Sequence, residues 1–193
     1  TKKNCGKLLL GILAFCTGMI LLTGCGSSSE QKQNKNEETA EENKEEDKVQ
    51  IGLTVDSFVI ERWIRDRDVF VATARELGAE VNVQDAGADV KEQISQIEYF
   101  INKQVDVIVV IARDCGALSD AIQKAQSAGI PVISYDRMVN NANTDLYISF
   151  DNRKVGEIMA QALVNALPQG GDVFMIQGSS SDNNVQMVKP VSY

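Results

Sequence analysis

Val107-Ile108-Val109-Val110-Ile111 is apolar at every position, and this lack of alternation restricts the fold more than any other feature. A strand with one face in water alternates polar and apolar residues. A strand that is apolar throughout is covered on both faces, as in a parallel sheet flanked by helices. Short β-branched runs recur along the chain and predict strands at residues 49–55, 80–84, 106–112, 131–135, 146–150 and 172–177. Between most of them lie stretches with helical spacing, at 60–77, 88–103, 116–128 and 155–166. In the first stretch Ile60, Trp63, Ile64, Phe70, Val71, Ala74 and Leu77 share one face of a 3.6-residue wheel. Gly78 and Gly129 stand where helix C-caps belong. The expected fold is α/β: an open parallel sheet with helices on both faces and right-handed crossovers.

In such a sheet ligands bind beyond the carboxyl ends of the strands, and polar residues collect there. Asp56-Ser57 follows the first run, Asp85 the second, Arg113-Asp114 the third, Asp136-Arg137 the fourth and Asp151-Asn152 the fifth. Ser179 to Ser181 and Asp182-Asn183-Asn184 follow the sixth. Helix capping explains part of this list, since Asp and Ser are common N-caps. Asp136-Arg137 is different, because it follows an apolar strand and precedes no helical stretch. A phosphate or dinucleotide would call for a glycine-rich turn after the first strand. That turn reads Thr54-Val55-Asp56-Ser57-Phe58, with no glycine and an acid facing the site. A neutral polyol suits the groups better, because each hydroxyl both donates and accepts and meets carboxylates and guanidiniums equally well. Trp63, the sole tryptophan, has two roles open to it, core packing or stacking on a sugar ring. Arg62 likewise either faces the binding edge or pairs with Asp66 one helical turn away, a contact worth a few tenths of a kcal/mol.

These residues carry a resemblance. Glu61-Arg62-Trp63 with Asp66-Arg67-Asp68, Ser95-Gln96-Ile97-Glu98, Tyr135-Asp136-Arg137-Met138, and Tyr147-Ile148-Ser149-Phe150-Asp151-Asn152 with Lys154-Val155-Gly156-Glu157 resemble the D-xylose-binding proteins of bacterial ABC sugar importers. That group lies within the type I periplasmic binding protein superfamily, and the resemblance covers about residues 49–184. It implies that Arg62, Asp136 and Arg137 hydrogen-bond a sugar from a first lobe, with Trp63 beside the ring. Phe150, Asp151 and Asn152 would lead into a hinge, and Asn184 would reach the sugar across the cleft. The chain departs from the pattern at Asp56-Ser57, where relatives often carry two acids, and Arg113-Asp114-Cys115 maps onto no known ligand contact. Residues 49–152 are expected to form the first sugar-binding lobe and 153–193 the incomplete start of a second. If these residues stand alone, the one-walled cleft is expected to bind sugar weakly or not at all.

The N-terminus places the domain. Lys2, Lys3 and Lys7 precede an apolar run from Leu8 to Leu22, shorter than the roughly 18 to 20 residues of a spanning helix. With Leu22-Thr23-Gly24-Cys25 this reads as a secretory signal over residues 1–24, the alternative being an uncleaved signal anchor. The last four residues resemble a lipobox, which makes Cys25 the lipidated N-terminus. Residues 30–48 hold eight acids against four lysines, a formal −4 out of the chain's −8. Such a stretch buries too little to offset its ordering entropy, so 25–48 is expected to be a disordered tether, or else an acidic interaction tail. The protein is then bound by lipid to the extracytoplasmic face of a bacterial cell membrane.

Composition removes other classes. The chain has no histidine, which excludes Ser-His and Cys-His catalysis and histidine-based metal sites. Of four cysteines, only Cys115 remains in the mature domain, so no internal disulfide is expected there. It reads as a small side chain near a helix start. No catalytic residue, metal or cofactor is expected, and the acidic balance opposes nucleic-acid binding. The expected function is capture of a monosaccharide, xylose or a similar aldose, for ABC permease subunits. The alternative is a sugar-sensing lipoprotein that feeds a membrane sensor kinase.

Overall fold

The computed structural model describes residues 48–189. The signal segment, Cys25 and the acidic stretch before Lys48 lie outside the described residues, as do 190–193. Strands β1 (Gln50–Val55), β2 (Glu80–Asp85), β3 (Val107–Ile111), β4 (Val132–Tyr135) and β5 (Leu146–Ile148) form one sheet in the order β2-β1-β3-β4-β5. Every pairing is parallel, with Ile51 beside both Val81 and Val107, and Val110 beside Ser134. The helices are α1 (Glu61–Glu76), α2 (Val90–Lys103), α3 (Ser119–Ser127), α4 (Asn152–Ala166) and the short α5 (Asn183–Val188).

The apolar run in β3 divides as a doubly covered strand must. Ile108 and Val110 join Ile97 and Phe100 of α2 and Ala121, Ile122 and Ala125 of α3 in one core. Val109 and Ile111 join Leu53, Val55 and Trp63 in a second core on the opposite face, with Phe70 and Tyr135 packed against it. Successive strand residues point to opposite faces, so one uninterrupted run feeds both cores.

The predicted helix ends hold at both glycines. Gly78 (φ +82°) and Gly129 (φ +81°) are left-handed. Ala79 N–H donates to the Ala74 carbonyl at 2.8 Å, and Ile130 N–H to the Ala125 carbonyl at 3.0 Å, the wide bonds of a Schellman cap. α2 ends the same way on Gln104 (φ +54°), without the glycine that would have announced it.

Three expectations need correction. Residues 172–177 are not a strand. A β-branched run becomes a strand only where a neighbour takes its N–H and C=O groups, and the sheet of the described residues ends at β2 and β5. Asn183 and Asn184, placed after that run with no helix assigned to them, instead open α5, with Asp182 as its N-cap. On α1 the apolar stripe buries Trp63 and Ala74, but Ile60 and Leu77 are 41% and 81% exposed. Both are cap residues, outside the helical turns that face the sheet.

Candidate functional site

The strand order reverses between β1 and β3, and a crevice opens at such a switch point beyond the carboxyl ends. Asp56 follows β1 there and is 1% exposed. Arg137, after β4, donates from Nη1 to Asp56 Oδ2 at 2.7 Å and to the Ala112 carbonyl at 3.0 Å. Arg113, after β3, brings Nη1 to 3.6 Å from Asp56 Oδ1. The helix α2 holds these strand ends in place. Gln93 donates to the Ile111 carbonyl at 3.0 Å and to Thr54 Oγ1 at 3.3 Å, and its own oxygen accepts from Arg113 N–H at 2.8 Å. Gln96 accepts from Thr54 at 2.7 Å and donates to the Asp85 carbonyl at 2.9 Å.

Asp136 is the centre of the site. It is 4% exposed and left-handed at φ +63°, a conformation Asp adopts more readily than most residues. Two bonds hold it there: its N–H donates to the Ile148 carbonyl at 2.7 Å, and its carbonyl accepts from Tyr147 Oη at 3.2 Å. The chain turns out of β4 at this residue and delivers both carboxylate oxygens to partners. Oδ2 accepts from Arg62 Nη2 at 2.6 Å, and Oδ1 from Asn184 Nδ2 at 2.7 Å. Asn152 at the start of α4 donates to Asn184 Oδ1 at 3.2 Å. The α5 segment is also tied to the loops that follow β3 and β4. Asp182 Oδ2 lies 3.0 Å from Arg137 Nε, Asn183 Oδ1 accepts from Met138 N–H at 3.1 Å, and the Ser181 carbonyl accepts from Cys115 N–H at 3.0 Å.

Trp63 is 3% exposed, and of the two roles open to it the structure shows core packing. Its ring belongs to the second core, while the Arg62 and Arg137 guanidiniums lie 4.4 and 5.6 Å from its centroid. Arg62 also lies over Phe150, at 4.9 Å. The two readings of Arg62 coexist, since Nε is 3.4 Å from Asp66 Oδ2 while Nη2 reaches Asp136. Burial works against the Arg62 charge, but the hydrogen bond and charge of Asp136, with Asp66 beside it, outweigh burial and hold the group more firmly protonated than usual.

All five site residues predicted from the sequence, Arg62, Trp63, Asp136, Arg137 and Asn184, therefore meet in one cluster. Asp56, Arg113, Asn152 and Asp182 join them without having been chosen. Position after a strand marked Asp56, Arg113 and Asn152, and Asp182 follows a run that forms no strand; only the folded geometry separates the four from ordinary loop polar residues. Among the described residues the buried side-chain atoms without a hydrogen-bond partner are Asp56 Oδ1, Trp63 Nε1, Arg137 Nε and Asn183 Nδ2. Arg137 Nε is close to Asp182 but not aligned with it. All four belong to residues of this cluster, and buried polar groups in this state call for a partner, water or ligand. Open clefts lie elsewhere, such as one of about 530 Å³ lined by Met138, Asn140 and Tyr147, but none of these orphan atoms lines it. Cys115 is a buried free thiol four residues before α3. Burial and the nearby Asp114 push its pKa up.

A parallel sheet whose carboxyl edge carries such a cluster is built as a ligand-binding lobe, and the chain belongs to the periplasmic binding protein domain family, which matches residues 51–189. It is 48% identical over 141 residues to the D-xylose-binding periplasmic protein of Escherichia coli (strain K12), covering 73% of this chain and 42% of that protein. It is 38% identical over 144 residues to a multiple sugar-binding periplasmic receptor of Rhizobium radiobacter, covering 72% and 41%. Among solved structures it is similar to an ABC transporter solute-binding protein from Clostridium phytofermentans with bound β-D-glucose, with TM-score 0.71 and 26% identity over 74% of this chain and 46% of that one. A solute-binding protein from Actinobacillus succinogenes with bound D-allose gives TM-score 0.69 and 29% identity, covering 75% and 54%. The chain spans about two fifths of the length of these curated relatives.

Proposed function

We propose that residues 49–152 are the first lobe of a lipid-anchored receptor that captures xylose or a similar aldose for an ABC importer, with 153–193 beginning its second lobe. The observation that carries this reading is the convergence of all four orphaned polar atoms with stacked aromatic and ion-paired groups at the switch point. A sugar ring offers an apolar face to Trp63 and a rim of hydroxyls that donate and accept together. A neutral ligand is favoured over an anion because each guanidinium already faces a carboxylate: Arg62 with Asp66 and Asp136, Arg137 with Asp56 and Asp182, Arg113 with Asp56. Xylose is favoured among sugars by the relative of highest identity quoted above. Nothing in the cluster provides a nucleophile with its base, so the event is binding and lobe closure, with Asn184 meeting the sugar from the far side.

The test is calorimetric titration of the protein lacking its first 25 residues with D-xylose and a panel of aldoses, alongside Trp63 fluorescence. A saturable xylose-selective response supports the reading. Flat traces for every aldose from a folded protein that also carries a complete second lobe would remove it; from residues 26–193 alone they match the weak binding expected of a one-walled cleft. The sensor alternative predicts the same titration but a kinase gene, in place of permease and ATPase genes, next door.

A further inference from the structure

Arg62 is held at two edges, and only one of them is the site's own carboxylate. Its Nη2 donates to Asp136. Its Nε faces Asp66 Oδ2 at 3.4 Å, and the same oxygen accepts from Tyr135 Oη at 3.0 Å. Tyr135 is the last residue of β4 and packs with the second core, so of two consecutive residues Asp136 meets the guanidinium directly and Tyr135 acts on it through Asp66. A helical i,i+4 pair alone needs no such brace from a residue 69 positions away. The brace has a purpose in the geometry, since the Arg62 side chain is 42% exposed and an arginine left loose samples many rotamers. Fixing a long side chain before the ligand arrives removes an ordering cost that binding must otherwise meet.

We propose that Asp66 and Tyr135 are positioning residues: they hold Arg62 in the rotamer that meets Asp136 and the ligand, without touching the ligand themselves. Tyr135 serves as a donor only, so it leaves Asp66 a carboxylate turned toward Nε. The inference rests on the sugar-site reading for its effect on affinity, and on the ligand-free geometry for its effect on Arg62.

The experiment uses Asp66→Asn and Tyr135→Phe in the full chain, each also combined with Arg62→Ala, with melting temperatures to confirm folding. Each single variant is expected to weaken D-xylose binding by roughly 3- to 10-fold, the ordering cost of one long side chain, and to have no further effect once Arg62 is alanine. In the ligand-free protein the Arg62 Nε–H resonance is expected to move toward that of a free arginine in Asp66→Asn. Losses that persist unchanged in the Arg62→Ala background overturn the proposal, as does an Arg62 resonance identical to wild type. If wild type binds no aldose, as expected of a one-walled cleft standing alone, the resonance alone decides the positioning role.

Discussion

Gly52 sits in the middle of β1, paired with Asn82 on one side and Ile108 on the other, and its hydrogen faces the ring of Phe100. A Cβ built there lies 2.6, 2.7 and 2.8 Å from Phe100 Cγ, Cδ2 and Cδ1. Ordinary carbon contacts are about 3.5 to 4.0 Å, so the ring has to retreat by about 1 Å. It has little room, being 0% exposed and enclosed by the larger core with Ile97, Ile108 and Ile122. Overpacking of this kind costs about 1 to 3 kcal/mol. Removing a glycine from the unfolded ensemble returns about 0.4 to 1 kcal/mol. Gly52→Ala is therefore expected to destabilise the domain by about 1 to 2 kcal/mol, read as a lower urea midpoint at unchanged slope by far-ultraviolet circular dichroism. Phe100→Leu opens space where the new methyl goes, so the double variant is expected to lose at least 1 kcal/mol less than the two singles added. A Gly52→Ala protein within about 0.5 kcal/mol of wild type, or strict additivity in the pair, would refute the steric argument.

Other expectations follow from the site. Asp56→Ala strips the buried Arg137 of one carboxylate while leaving it Asp182 and the Ala112 carbonyl; a loss of about 3 kcal/mol in urea unfolding is expected, and an unchanged midpoint contradicts it. Asp136→Ala removes the acceptor of both Arg62 and Asn184, and calorimetry is expected to show D-xylose affinity reduced on the order of 100-fold. Burial, then the hydrogen bond to Asp66 and its charge, raise the Tyr135 pKa above its usual 10.0. The fold thus holds the phenol proton more tightly than the unfolded chain does, so this contribution is intact below about pH 10 and lost as pH climbs through the raised value. Tyr135→Phe is expected to flatten that alkaline limb of the stability curve, and a limb that survives the substitution points to another group. Cys115, with its thiol pKa raised by burial, is expected to react slowly with a disulfide reagent in the native protein and at an ordinary rate in urea.

The sheet was legible because its signals are local. The unbroken run at 107–111, the spacing on α1 and α2, and the caps at Gly78 and Gly129 each follow from their own neighbours. The failures are of the opposite kind. Residues 172–177 carry as good a strand composition as 146–148, but pairing is a property of two segments, and only the second has β4 beside it. Gln93 and Gln96 occupy positions that the period marks as inward, and a reader of composition alone sees polar residues where a core should be. Their burial makes sense only once Thr54, the Ile111 carbonyl and the Arg113 N–H are known to lie across from them. The site residues fall between these cases. Asp136-Arg137 stood out because no helix follows it to be capped, whereas Asp182 caps α5 and also meets Arg137, so its second role was hidden behind its first.

The two polar clusters of this lobe show why the site is where it is. Gln93, Gln96 and Thr54 are all buried, all uncharged, and linked by complementary donors and acceptors. A network satisfied in this way rigidifies a core. A few ångströms of chain further on, past the ends of the same strands, the design changes. Asp56 and Asp136 are buried against guanidiniums, Asp136 takes a left-handed backbone that few residues accept, and every orphaned buried side-chain atom of the described residues is found there. Any one of these would be an isolated local cost of the order of 1 to 3 kcal/mol. Their confinement to one cluster, supported from below by a fully satisfied network, is what a fold shows when rigidity and unspent hydrogen-bonding capacity occur at one place. The glutamines fix the strand ends so that the carboxylates and guanidiniums beyond them keep their spacing.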